Sequence, residues 1–300
     1  FLDEFFNFPL IPMIETTRGC PFSCSFCCDG HETRNKVHRY DFQRTEEELH
    51  YIAKRIKNVD NLIITDLNFA MYKQDIVTAK AIAKIQKTYN YPKLIEATAG
   101  KNMPKRTIEV GNILKGWITG ASLQSTDPTV LKAIKRQNIS TEAYQEVVNH
   151  SNSIENQITH SEIILGMPED SKERHFESLR FCIDNKTQHL RMYQSMMLMG
   201  TEMESKAARK KYGLKTMFRT IPGCLGIYNI FGKEHSIAEI EEIIVGSNTL
   251  SKKDYLECRV MNLFVEAFYN KSMFEEVFVM LRSLKISGIS ELNLLFHYST

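Results

Sequence analysis

Cys20-Pro21-Phe22-Ser23-Cys24-Ser25-Phe26-Cys27 sets three thiols at C-x3-C-x2-C spacing within eight residues, soon after the apolar run Leu10–Thr16. Thiolates this close together suit a metal centre, and three of them can hold three irons of a [4Fe–4S] cluster. Such clusters ordinarily take four protein thiolates, so a set of three leaves one iron for a ligand from elsewhere. Two other readings stay open. Cys24-x-x-Cys27 can be read as a redox pair, which leaves Cys20 without a role, or as half of a zinc site completed by Cys28, His31 or His38.

Around the thiols the sequence fits a tight loop. Arg18-Gly19 leads in, the glycine permitting a close backbone path and the arginine adding positive charge. Cys28 is read as a spare thiol, because neighbouring side chains do not readily converge on one cube. Phe22 and Phe26 are read either as shields for a cluster or as core packing. His31 and His38 stand in a polar, basic stretch and are read as solvated.

The chain has 300 residues, 43% of them hydrophobic and 25% charged, which is ordinary for a globular protein with a sizeable core. A formal charge of +2 gives no reason to expect a nucleic-acid partner. Seven cysteines, four of them within residues 20–28, do not resemble a secreted disulfide scaffold. A reducing, cytoplasmic setting is expected instead. There is no apolar run of about 18 residues and no signal peptide. The sequence opens on Phe1 and enters a strand almost at once, so a piece of a longer protein is expected.

Downstream, strand-like runs alternate with helix-length segments. After Leu10–Thr16, Thr45-Glu46-Glu47-Glu48 reads as a capping box opening a helix with the stripe Leu49, Ile52, Ala53, Ile56. Leu62–Thr65, Leu94–Thr98 and Trp117–Leu123 read as the next strands, and Asp127-Pro128 as a helix start. Ile163–Leu165 lies in a fifth strand that stops at Gly166-Met167-Pro168. A helix over Ser171–Asp184 leads to a sixth strand, Leu190–Met199, with methionines read as core filler. Six strand–helix units in about 190 residues imply parallel pairing with right-handed crossovers. A full eight-unit barrel runs to about 250 residues, so the expected fold is α/β: a partial (β/α)6 barrel of the TIM type with a C-terminal helical extension. Residues 1–204 are expected to form the core and 205–300 the mainly helical extension, with helices over 236–286.

The cysteine spacing, with Phe26 just before the third thiol, resembles the signature of the radical SAM superfamily. That resemblance implies a [4Fe–4S] cluster on Cys20, Cys24 and Cys27, with S-adenosylmethionine (SAM) chelating the fourth iron. It also implies further contacts at the strand ends. Asp66, in Thr65-Asp66-Leu67-Asn68-Phe69, is expected either near the methionyl amine or as a cap on the next helix. Glu96 matches a third-strand glutamate that holds the same amine, and Gln124 a fourth-strand glutamine that contacts ribose. Arg136 matches an arginine that pairs with the methionyl carboxylate; its alternative is an exposed helix charge. Glu162 opens Glu162-Ile163-Ile164-Leu165-Gly166-Met167-Pro168, which is similar to a fifth-strand segment whose acidic residue faces the ribose; a buried ion pair is its alternative.

The resemblance implies reductive cleavage of SAM to a 5′-deoxyadenosyl radical that acts on a small-molecule substrate. The electron would come from a donor such as flavodoxin or ferredoxin. The stretch Glu15–Gly30 is most similar to members that carry an upstream cobalamin-binding domain, with Phe1–Phe8 as the end of a linker. Methyl transfer then leads among the implied reactions. No Asp-x-His-x-x-Gly segment occurs in residues 1–300, so cobalamin would be held mainly by a missing N-terminal domain. Methylthio transfer is a second reading from the same superfamily, and a zinc-stabilised binding module a third from outside enzymology.

Overall fold

The computed structural model describes residues 2–100, 102–155, 157–289 and 292; Phe1, and most of the stretch beyond 289, lie outside the described residues. Strand β1, Met13–Ile14, is shorter than the apolar run around it. Pro9 and Pro12 cannot donate to a ladder, and Pro12 contributes only its carbonyl, which accepts from Ile63 N at 3.1 Å. Strands β2, Thr17–Arg18, and β3, His38–Arg39, then pair antiparallel and close the neck of the cysteine loop.

Helix α1, Phe42–Ala53, begins earlier than the expected capping box. Asp41 is its cap, accepting from Gln43 N at 2.7 Å, and Thr45 is already buried in the first turn, its hydroxyl turned back to Asp41 O. An aspartate before Phe42 caps as well as a threonine does, and it gains the helix a turn. Strand β4, Asn61–Phe69, pairs parallel with β1 and with β5, Leu94–Ala99, across helix α2, Lys73–Tyr89. Helix α3, Pro104–Ile113, leads to β6, Ile118–Gly120, and helix α4, Pro128–Ala133, starts as expected with Asp127 accepting from Thr129 N and Val130 N. Helix α5, Thr141–Asn152, precedes β7, Ile158–Leu165; α6, Lys172–Asp184, precedes β8, His189–Gln194.

The two parallel sheets, β1-β4-β5 and β6-β7-β8, are joined by a single parallel bridge from Ile95 to Trp117. The strands therefore stand in chain order, β1-β4-β5-β6-β7-β8, and no pairing links β8 back to β1 among the described residues. This is the open six-stranded barrel that the strand–helix alternation implies. Two apolar clusters fill the space between strands and outer helices. One sets Leu62, Ile64 and Ile95 against Ile82 and Ile85; the other sets Ile163 and Leu190 against Leu179, Ile183 and Met261.

The C-terminal part departs from expectation over residues 215–246. Helix α7, Lys206–Tyr212, is followed by two long strands, β9, Lys215–Ile230, and β10, Lys233–Gly246, which form an antiparallel arm. Residues 236–246, expected as helix, belong to this arm. Ile237, Ile240, Ile243 and Ile244 recur at helical spacing, but Phe231 and Gly232, both at positive φ, make a two-residue hairpin turn that commits both flanks to strand. The expected helices follow: α8, Lys252–Phe264, a π-helical turn over Val265–Asn270, and α9, Glu275–Ser283. They pack on α6, where His175 Nε2 lies 2.8 Å from Asn262 Oδ1. The root of the arm sits at the barrel rim, bridging Met196 to Ile243 just past β8. Of the methionines expected as filler there, Met197 is buried and Met199 is exposed.

Candidate functional site

The cysteine loop leaves the barrel at the end of β2 and is held at both sides. At its neck Gly19 has φ +96°, and a Cβ there would stand 2.1 Å from Lys36 O, so only glycine fits. Within it, Cys27 N donates to Cys24 O at 3.1 Å. Ser25 N donates to Ile134 O just beyond α4, and Met203 N donates to Ser25 O. The thiol loop is thus fixed to the fourth strand–helix unit and to the segment after β8. Cys20 and Cys24 are buried, and Cys27 and Cys28 half-buried. The Cys28 thiol faces Met199 O at 3.8 Å, as befits a spare thiol. Phe26 packs against Val130, Ile134, Met167 and Ile244.

Around the buried thiols are polar groups with unused hydrogen-bonding capacity. Asn68, at the end of β4, places Nδ2 3.2 Å from Cys20 Sγ and leaves Oδ1 unpartnered. Arg136, expected either as a carboxylate ligand or as an exposed charge, is only 5% exposed. Its Nε donates to Asn138 Oδ1 at 3.0 Å and its Nη2 to Ser122 O, while Nη1 makes no hydrogen bond. Burial pulls the guanidinium below its ordinary pKa; the neighbouring Cys24, and then Glu162 and Cys20, oppose that fall. A buried cation with a free N–H pair costs free energy unless an anion meets it.

The barrel mouth carries the other expected residues. Gln124 Nε2 donates to Glu162 Oε2 at 3.1 Å, and Gln124 Oε1 is buried without a partner. Both line a cavity of about 320 Å³ together with Phe26, Met167, Tyr193 and Met196. Glu96 does not line this cavity and is in an ion pair with Arg191, Oε1 to Nη2 2.8 Å. Asp66 is not the cap of the next helix. Its carboxylate accepts from Thr16 N at 2.7 Å and from Thr16 Oγ1 at 2.5 Å, tying β4 to the β1–β2 junction, and burial raises its pKa. The following helix has Tyr72 as its N-cap, and Asp75 in its first turn reaches back so that Oδ2 accepts from Tyr72 N.

Sequence reasoning missed Asn68, Arg191 and His160. His160 is buried in β7 and pushed down to about 4, chiefly by burial and then by Arg191. Strand alternation is the signal that finds such residues: His160 and Glu162 share one face of β7, as Arg191 and Tyr193 share one face of β8.

These groups suit a three-thiolate cluster and a zwitterionic ligand beside it. Three thiols on one loop leave a fourth iron to another donor, an amide hydrogen meets one sulfur, and a buried guanidinium beside Cys24 keeps Nη1 without a hydrogen bond. No three His, Cys, Asp or Glu side chains among the described residues, the three loop cysteines included, are drawn together tightly enough to hold a single ion.

Comparison with known proteins agrees. The chain is 30% identical over 251 residues to the 2-(S-pantetheinyl)-carbapenam-3-carboxylate methyltransferase of Streptantibioticus cattleyicolor, covering 81% of this chain and 35% of that protein. It is 28% identical over 250 residues to the cobalamin-dependent radical SAM methyltransferase TokK of Streptomyces tokunonensis, with the same shares covered. The chain thus spans about a third of the length of these curated relatives. The radical S-adenosylmethionine methyltransferase TsrM from Kitasatospora setae, solved with tryptophan substrate and a SAM analog bound, shares the fold. Its TM-score is 0.57 at 14% identity, covering 73% of this chain and 43% of that one. The profile of the Radical SAM superfamily matches residues 14–182. Because that match runs from the first barrel strand into α6, and so takes in the cysteine loop and the first five barrel strands, the chain belongs to the radical SAM superfamily.

Proposed function

We propose that this chain is the radical SAM core of a methyltransferase acting on a small molecule, with cobalamin held by a segment outside residues 1–300. The observation that carries the cofactor reading is Arg136: a buried guanidinium beside Cys24 with Nη1 unpaired. In this reading Cys20, Cys24 and Cys27 hold three irons, and Asn68 donates to the Cys20 sulfur. Arg136 receives the methionyl carboxylate, Glu96 the ammonium, and Gln124 with Glu162 the ribose hydroxyls. When bound, the cluster and SAM supply one-electron and methyl-transfer chemistry. The protein orients them and keeps water out, with Phe26 and Met167 walling the cavity. Asp66 has both oxygens engaged by Thr16 and serves the fold. The methyltransferase reading rests on the two curated relatives, both named as methyltransferases. A reduced flavodoxin or ferredoxin fits as electron donor in a cytoplasmic setting. The core is assigned to residues 1–204, with 205–300 contributing the rim arm and the helices behind α6.

The test is anaerobic reconstitution of the chain with iron and sulfide, followed by reduction in the presence of SAM. Four irons per chain and formation of 5′-deoxyadenosine or S-adenosylhomocysteine are expected. Zinc uptake in place of iron, or a loaded cluster that leaves SAM unbound, would refute the reading. No helix among the described residues is long and apolar enough to cross a membrane.

A further inference from the structure

Glu96 and Arg191 stand on opposite walls of the open barrel, on β5 and β8, and meet at 2.8 Å with side chains 39% and 34% exposed. An exposed pair of this kind contributes little to stability, so its value to the fold does not explain its place. Register sets Arg191 beside Glu162 on β7, and Glu162 lines the cavity. Tyr193, next on the same face of β8, lines it too. Much of the remaining wall is apolar: Phe26, Ile164, Met167, Met196 and Leu198.

Under the proposed cofactor arrangement, on which this inference rests, the Glu96 carboxylate passes to the SAM ammonium. Arg191 then gives up its ion pair with Glu96 and keeps only Glu162 as an acidic neighbour, at the edge of a mainly apolar cavity. We propose that Arg191 is the anchor for a carboxylate-bearing substrate, released for that task when SAM takes Glu96. Glu162 stays beside Arg191 in register, so a monoanion meets less repulsion there than a dianionic phosphate would. A guanidinium fork also matches a carboxylate bidentately. Exchange of partners makes the two ligands cooperative, and such coupling is reciprocal.

The experiment uses the cluster-loaded chain and two probes, 3-phenylpropionate and its amide, titrated with and without saturating SAM by anaerobic calorimetry. In the wild type, SAM is expected to tighten binding of the carboxylate about fivefold or more and to leave the amide unaffected. Arg191→Gln is expected to tighten SAM itself about fivefold, because SAM no longer displaces a partner, and to abolish the coupling. Arg191→Lys keeps the charge and is expected to retain most of it. Equal carboxylate binding with and without SAM in the wild type overturns the proposal without any variant. If Arg191→Gln leaves SAM affinity unchanged while Glu96→Gln weakens it, the exchange is wrong and the ammonium site stands. If Glu96→Gln binds SAM as the wild type does, the ammonium assignment fails and the exchange with it.

Discussion

Asn68 Nδ2 lies 3.2 Å from Cys20 Sγ, a buried amide donor aimed at a buried thiol. The two residues come from different parts of the chain, the end of β4 and the loop after β2, and only the barrel brings them together. Asn68 is 3% exposed, so the contact is shielded from water.

Hydrogen bonds to cluster sulfurs are one of the settings of a cluster's potential. A donor stabilises the reduced, more negative state. Asn68→Leu should therefore keep its iron and be harder to reduce. For a bond worth about 1 kcal/mol, the one-electron potential falls by about 40 mV. Redox titration of the loaded variant against the wild type measures this; an unchanged potential removes Asn68 from the site.

Arg136 offers a sharper test, because its unpaired Nη1 is already buried before any ligand arrives. A charge-assisted hydrogen bond is worth about 2 kcal/mol. Arg136→Met should weaken SAM about 30-fold while iron content stays at the wild-type level. Arg136→Lys should recover only part, lacking the fork. Equilibrium binding of SAM to the loaded protein, with iron analysis alongside, separates loss of the ligand from loss of the cluster.

Much of this site is legible from spacing. The strand–helix alternation and the Asp127 cap at α4 depend on local chemistry, and each stands where it reads. What local chemistry does not carry is partner choice. Asp66 reads as a site carboxylate or a cap, yet Thr16, fifty residues earlier, takes both its oxygens. Arg191 looks like one strand cation among several until β5 brings Glu96 to it. The rim arm misreads for a different reason: Ile237, Ile240, Ile243 and Ile244 stand at helical spacing, and the turn at Phe231-Gly232 overrides that pattern.

Gly19 predicts a failure of assembly. Alanine at φ +96° is strained by about 1–3 kcal/mol, and its Cβ would also stand 2.1 Å from Lys36 O. Gly19→Ala should therefore open the neck between β2 and β3 and lower iron per chain, with the barrel still folded. Circular dichroism together with iron analysis reads both. Full iron loading in the variant would show that the neck is not what holds the loop.

Asp170 makes stability depend on pH in an unusual direction for a carboxylate. It sits under the turn after β7, accepting from Gly166 N at 3.0 Å and from Ser171 N at 2.9 Å, and burial pushes its pKa up from 3.8 to about 7. Between those values the native state keeps a proton that the unfolded chain has released. Unfolding then releases a proton, so stability is greatest below about pH 4 as far as this group is concerned and falls as pH rises towards 7. The slope is at most about 1.4 kcal/mol per pH unit from a single group. Asp170→Asn cannot titrate and should flatten that fall, even if it is less stable overall for losing one of the two backbone bonds. Urea unfolding of both proteins from pH 4 to 8 gives the comparison. Parallel curves would mean that Asp170 is ionised in the folded protein throughout, with the Gly166 and Ser171 amides outweighing its burial.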